Sequence, residues 1–148
     1  MLEKKILSTK TTPEVSLNPE GIIKIIGRST DGNITEFSAQ IEKWIDEYLS
    51  NPAEITCVDI YLEYFNKINL KFYFNLLRKI ESVKLKNKKY IINWYYEEGD
   101  EDILEKGENI SSVMDIPFNF IMICDPLIRA RSIKMENRIN LIERVFNI

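Results

Sequence analysis

Histidine is absent from the 148-residue sequence. Its absence removes the Ser-His and Cys-His nucleophile pairs, the imidazole general base, and most zinc and non-haem iron sites. Cysteine occurs only twice. Cys57 and Cys124 stand far apart in apolar runs without C-x-x-C spacing, so a reduced, buried pair is expected rather than a disulfide or a metal centre. The five glycines are scattered in turn-like positions. Neither a G-x-x-x-x-G-K-[ST] loop nor a G-x-G-x-x-G run is present, which argues against the common nucleotide-binding folds and implies no cofactor. Long apolar runs are missing too. The stretch from Met1 to Leu7 is too short for a signal peptide, and the longest apolar run near the C-terminus is Phe120 to Cys124, so a cytoplasmic protein without membrane insertion is expected. Positive charge is not in excess: 20 Lys and Arg face 23 Asp and Glu, a net charge of −3. Duplex nucleic acid is therefore not an expected partner.

What is present suits one domain, since 45% hydrophobic and 11% aromatic residues fill an ordinary core. Residues 14–17 and 21–27 are β-type runs joined by Asn18-Pro19-Glu20-Gly21, which reads as a hairpin. Phe37, Ile41, Trp44, Ile45, Tyr48 and Leu49 keep helical spacing up to the stop at Asn51-Pro52. Residues 55–65 form a dense β-branched and aromatic run that suits a central strand covered on both faces. Asn69 is a good N-cap for a second helix carrying Leu70, Phe74, Leu77 and Ile80. Residues 89–96 read as another strand, 100–113 as a helix and 118–124 as a last strand. Strands alternating with helices after a hairpin imply an α/β fold, with a mixed sheet and helices packed against it.

The final segment differs. Residues 125–148 carry five Arg or Lys against three Asp or Glu. Ile139, Ile142, Val145 and Phe146 would share one side of a helix, expected to pack on the domain formed by residues 1–124 or on a partner, including a second copy. Glu97, Glu98, Asp100, Glu101 and Asp102 form the one dense carboxylate cluster. Its spacing is not that of a calcium loop, and acidic residues at the start of a helix complement the dipole, so a solvated first turn is expected and no metal site. Trp94 is expected in the core. Tyr95 and Tyr96 point to opposite sheet faces, and whichever is exposed would anchor a partner. For catalysis only paired carboxylates such as Glu63 and Glu97 remain, and nothing in the sequence brings them together. A structural homo-oligomer is a further alternative.

Four pieces in order resemble the SiaC family of regulatory phosphoproteins. They are Thr12-Pro13-Glu14-Val15 leading to Gly27-Arg28-Ser29; Phe37 with Trp44, Ile45 and Tyr48; Leu62-Glu63-Tyr64-Phe65-Asn66; and Trp94 to Glu98 followed by Asp100-Glu101-Asp102 and Gly107-Glu108. The resemblance implies a STAS-like fold and a non-catalytic switch. It also implies a kinase-like protein partner, a diguanylate cyclase partner, or both, and hence cyclic di-GMP signalling and biofilm control. It places the partner surface at Gly27, Arg28, Ser29, Thr30, Asn66, Lys67, Ile68 and Asn69, with Tyr95 and Tyr96 beside them. Family members generally carry Ser or Thr directly after Tyr-Phe-Asn, where a phosphate would meet a helix N-terminus. Here the place reads Lys67-Ile68-Asn69, so the position equivalent to the phospho-acceptor, Lys67, cannot be phosphorylated. Gly27-Arg28-Ser29 is followed by Thr30-Asp31-Gly32-Asn33 where the family usually has Ile-Pro-Glu-Asn. A divergent, constitutive partner-binding protein is expected, with Ser29 and Thr30 left as the hydroxyls of that loop.

Overall fold

A computed structural model describes residues 1–124. The amphipathic segment expected at 125–148 lies outside the described residues. The elements run β1 (Lys4–Ile6), β2 (Glu14–Asn18), β3 (Ile22–Ser29), α1 (Thr35–Ser50), β4 (Ile55–Phe65), α2 (Leu70–Glu81), β5 (Lys89–Glu97), α3 (Glu101–Met114) and β6 (Asn119–Ile123), with 3-10 turns at Lys67–Asn69 and Ser82–Lys86. They form one six-stranded sheet in the order β1-β2-β3-β4-β5-β6. The pairs β1–β2 and β2–β3 are antiparallel, and β3–β4, β4–β5 and β5–β6 are parallel. The mixed sheet and the expected hairpin are present, but the hairpin is not the first element. Lys4-Lys5-Ile6 adds an edge strand that composition did not announce, three residues long and charged as edge strands tend to be.

Each parallel pair needs a crossover, and right-handed crossovers along one direction of the sheet deliver their helices to the same side. Accordingly Phe37, Ile41, Trp44, Ile45 and Tyr48 of α1, Phe72, Leu76 and Ile80 of α2, and Ile103, Ile110 and Met114 of α3 share one core with Val15, Ile23, Ile25, Val58, Ile60, Leu62, Ile92 and Trp94 of the sheet. No described helix is long and apolar enough to cross a membrane.

The other sheet face carries a different pattern. Lys24, Asp59, Asn93 and Asn119 pair in register across β3, β4, β5 and β6. Asn93 Nδ2 donates to Asp59 Oδ1 at 2.8 Å and to Cys57 Sγ at 3.4 Å, and Asn119 Nδ2 donates to Asn93 Oδ1 at 3.2 Å. Apolar rows flank this polar one: Ile22, Cys57 and Ile91 with Ile55 on one side, and Ile26, Tyr61, Tyr95, Ile121 and Ile123 on the other. A register slip of one residue would bring Asp59 and Asn93 into the helical core, so the polar row helps to fix the pairing.

Trp94 is fully buried, as expected, between stacked Phe118 and the edge of Phe65. Its Nε1 donates to Ile103 O at 2.9 Å. Gly107 lets α3 approach this ring, since a Cβ there would lie 2.5 Å from Trp94 Nε1. Gly107→Ala is expected to cost about 1–3 kcal/mol, the usual range for overpacking, measured as a lowered midpoint in urea. An unchanged midpoint would show that α3 can shift freely away from the sheet.

Candidate partner-docking surface

The loops that leave β3, β4 and β5 emerge at the same edge of the sheet, where their strands end. At this edge β3 and β4 slip register: Gly27 pairs with Leu62 while Arg28 pairs with Tyr64, leaving Glu63 as the extra residue of a bulge. Gly27 adopts φ 134°, a conformation that favours glycine, and its position for a Cβ lies 3.4 Å from Pro13 Cα. The bulge sets Ser29 opposite Phe65.

Two asparagines then tie the loops together. Asn66 Oδ1 accepts from Asn69 N at 3.3 Å and from Asn69 Nδ2 at 2.8 Å, while Asn66 Nδ2 donates to Thr30 O at 3.1 Å. Asn69, fully buried, also donates through Nδ2 to Ser29 O at 2.6 Å. Asn66 N donates to Ser29 O at 3.3 Å as well. The capping role expected of Asn69 thus belongs to Asn66, which caps the 3-10 turn. Asn69 stands at the entry to α2 but spends its side chain on the neighbouring loop, making no cap.

On this frame Lys67 and Ile68 are held outward, Ile68 at 62% exposure, with Tyr64 nearby at 44%. Arg28 is exposed and Thr30 half-buried. Beside the turn, an apolar groove of about 240 Å³ runs between α2 and α3, with Phe65, Leu70, Phe74, Ile110 and Val113 in its wall and Lys67 and Lys106 at its rim. Lys106 Nζ lies over the Tyr64 ring at 5.0 Å, donates to Phe65 O at 3.0 Å and pairs with Asp102 at 3.0 Å.

Other expected members sit elsewhere. Ser29 is not a loop surface hydroxyl: it is buried beside fully buried Tyr73. Burial pushes the ionisation of the Tyr73 hydroxyl well above the ordinary value of a phenol, and its hydrogen bond with the Ser29 side chain works in the opposite direction. Tyr95 and Tyr96 do point to opposite faces, but neither is an exposed anchor. Tyr95 is buried with Tyr61 and Ile123, and half-buried Tyr96 packs against the helical core. Burial of alternate residues on both faces of β5 is the reason. Cys57 is buried and Cys124 exposed, neither in a disulfide, so the pair is reduced as expected but not both buried. It follows the last residue of β6, where the strand leaves the sheet.

The acidic run has the structural role expected. Asp100 Oδ1 accepts from Ile103 N at 3.1 Å and caps α3, and Glu101 and Asp102 lie in its first turn. Glu97 Oε1 accepts from Tyr61 Oη at 2.9 Å. Burial, then Glu97 and Glu63, raise the ionisation of Tyr61. Among the described residues no group of three or more Cys, Asp or Glu could hold a metal ion.

The chain is a mixed α/β domain in which half-buried Asn66 and buried Asn69 tie two loops into one partly apolar surface. The chain belongs to the SiaC family of regulatory phosphoproteins, whose family model matches residues 6–123. It is similar to an uncharacterised protein of Pseudomonas aeruginosa, 23% identical over 119 residues, a match covering 80% of this chain and 94% of that protein. Its fold is similar to apo-SiaC from Pseudomonas aeruginosa, with TM-score 0.71 and 22% identity over 84% of this chain and 100% of that one. It is likewise similar to SiaC in a complex described as diguanylate cyclase SiaD with its activator SiaC, with TM-score 0.71 and 22% identity over 80% of this chain and 97% of that one.

Sequence reasoning placed Asn66 and Asn69 at the turn but did not foresee that they join it to Ser29 and Thr30. Replacing Asn69 by Leu keeps the volume and removes the side-chain hydrogen bonds to Ser29 O and Asn66 Oδ1, leaving Ser29 O only the longer bond from Asn66 N. The expected cost is about 1–3 kcal/mol in urea unfolding, with faster amide exchange at residues 28–33 than in the parent chain. Exchange unchanged in that loop would separate Asn69 from its conformation.

Proposed function

We propose that this chain is a non-catalytic, cytosolic regulator that binds and activates a diguanylate cyclase through the surface around Lys67 and Ile68. The observation that carries the reading is the turn itself: an exposed apolar residue and a lysine held by half-buried Asn66 and buried Asn69, in a chain of the SiaC family. SiaC of Pseudomonas aeruginosa is described as the activator of the cyclase SiaD. In a family of phosphoproteins, a switch at this place would work by adding about two negative charges to a docked helix start. Lys67 has no hydroxyl to modify, so docking here does not depend on a kinase at that position. Gly27, Arg28, Thr30 and Asn66 shape the same surface. Tyr95 and Tyr96 do not belong to it, since both are engaged in packing. A kinase-like protein that recognises the same turn remains a second partner, bound without transferring phosphate to residues 67–69.

The test uses cyclase from the chain's own cells. Tagged chain passed over extract should retain a diguanylate cyclase, and adding the chain to that purified enzyme should raise its rate of cyclic di-GMP synthesis. Lys67→Glu puts the sign of a phosphate on the turn and should weaken binding about tenfold, which is about 1.4 kcal/mol. Failure to retain any cyclase, or equal binding by the variant, would overturn the proposal.

A further inference from the structure

The turn at Lys67–Asn69 is tied to a third loop, the connection between β1 and β2. Thr11, in that connection, accepts through its carbonyl from Thr30 N at 2.8 Å and from Asp31 N at 3.1 Å. Its exposed hydroxyl donates to Asp31 Oδ2 at 3.3 Å. Thr30 O in turn accepts from Asn66 Nδ2 at 3.1 Å. A continuous path of hydrogen bonds and backbone therefore runs from Thr11 to the asparagine that caps the turn. The other hydroxyls of these loops are placed differently. Ser29 and Thr12 are buried and Thr30 is half-buried. The oxygen of Thr9 already accepts from Thr11 N at 3.2 Å and Thr12 N at 2.9 Å. Thr35 opens α1, where the helix dipole would welcome a phosphate and leave the loop in place.

We propose that Thr11 is a phospho-acceptor, modified by a protein kinase that docks on the same edge and uses a nucleoside triphosphate as donor. The proposal rests on the reading that this edge meets partners, in a family of regulatory phosphoproteins whose chain here has no hydroxyl at residues 67–69. Thr11 Oγ1 bonds to the γ-phosphorus as the bond from that phosphorus to the bridging oxygen breaks. The hydroxyl proton passes to a base of the kinase, and a nucleoside diphosphate leaves. The modified oxygen can no longer donate to Asp31, and about two negative charges then face a carboxylate across a hydrogen-bond distance. Repulsion drives Asp31 away from Thr11, pulling on the bonds that Thr30 N and Asp31 N make to Thr11 O and on the bond from Asn66 to Thr30 O. The turn that presents Lys67 and Ile68 loses its anchor, so a charge added in one loop switches the surface held by another.

Two measurements decide this, and neither involves the cyclase, so their failure and the failure of the docking proposal are separable. Full chain recovered from its own cells with phosphatase inhibitors present is mapped by fragmentation mass spectrometry that resolves Thr9, Thr11 and Thr12. Phosphate at Thr11 is expected; none there, or phosphate at other residues alone, would overturn the proposal. Amide exchange is then compared in the parent chain, Thr11→Glu and Thr11→Val. Exchange at residues 30, 31 and 69 should be about tenfold faster in Thr11→Glu and near the parent rate in Thr11→Val. Unchanged exchange in Thr11→Glu would refute the switch. Equal acceleration in both variants would also refute it, by assigning the effect to the lost hydrogen bond instead of the added charge.

Discussion

Three successive parallel pairings, β3 with β4, β4 with β5 and β5 with β6, constrain everything else in this molecule. Each demands a crossover of one hand, so α1, α2 and α3 land together and build one core. The same constraint gathers the loops that follow β3, β4 and β5 at a single edge. The surface proposed to meet a partner is the product of that gathering. Asn66 and Asn69 then convert neighbouring loops into one rigid feature by satisfying backbone carbonyls that would otherwise be stranded in the interior.

The same arrangement places the described helices on one face of the sheet. On the other face the register sets a polar row of Lys24, Asp59, Asn93 and Asn119 between two apolar rows, and that polar row admits one pairing.

Much of this was readable in advance. Strong helical spacing in α1 and α2, the Asn18 to Gly21 turn and the dense strands β4 and β5 all announced themselves through period and composition. Trp94 in the core and Asp100 to Asp102 as a helix start followed from the same rules. What escaped depends on contacts distant in sequence. Lys4 to Ile6 carries no strand signal of its own and is a strand because β2 offers an edge. Asp59 and Asn93 were hidden inside apolar runs, and only register shows that they meet. Alternation correctly sent Tyr95 and Tyr96 to opposite faces, but it cannot tell that Tyr95 is buried and Tyr96 half-buried. Ser29 looked like a loop hydroxyl because the bulge at Gly27, which turns it inward towards Tyr73, is invisible in composition.

The central claim is that partners meet the edge where Asn66 and Asn69 hold Lys67 and Ile68 outward. Its most direct test is amide hydrogen exchange of the chain alone and with a purified diguanylate cyclase from its own cells. Slowed exchange confined to residues 27–33 and 64–71 is the predicted result. Protection of β1 and β2 with those loops unchanged would contradict it.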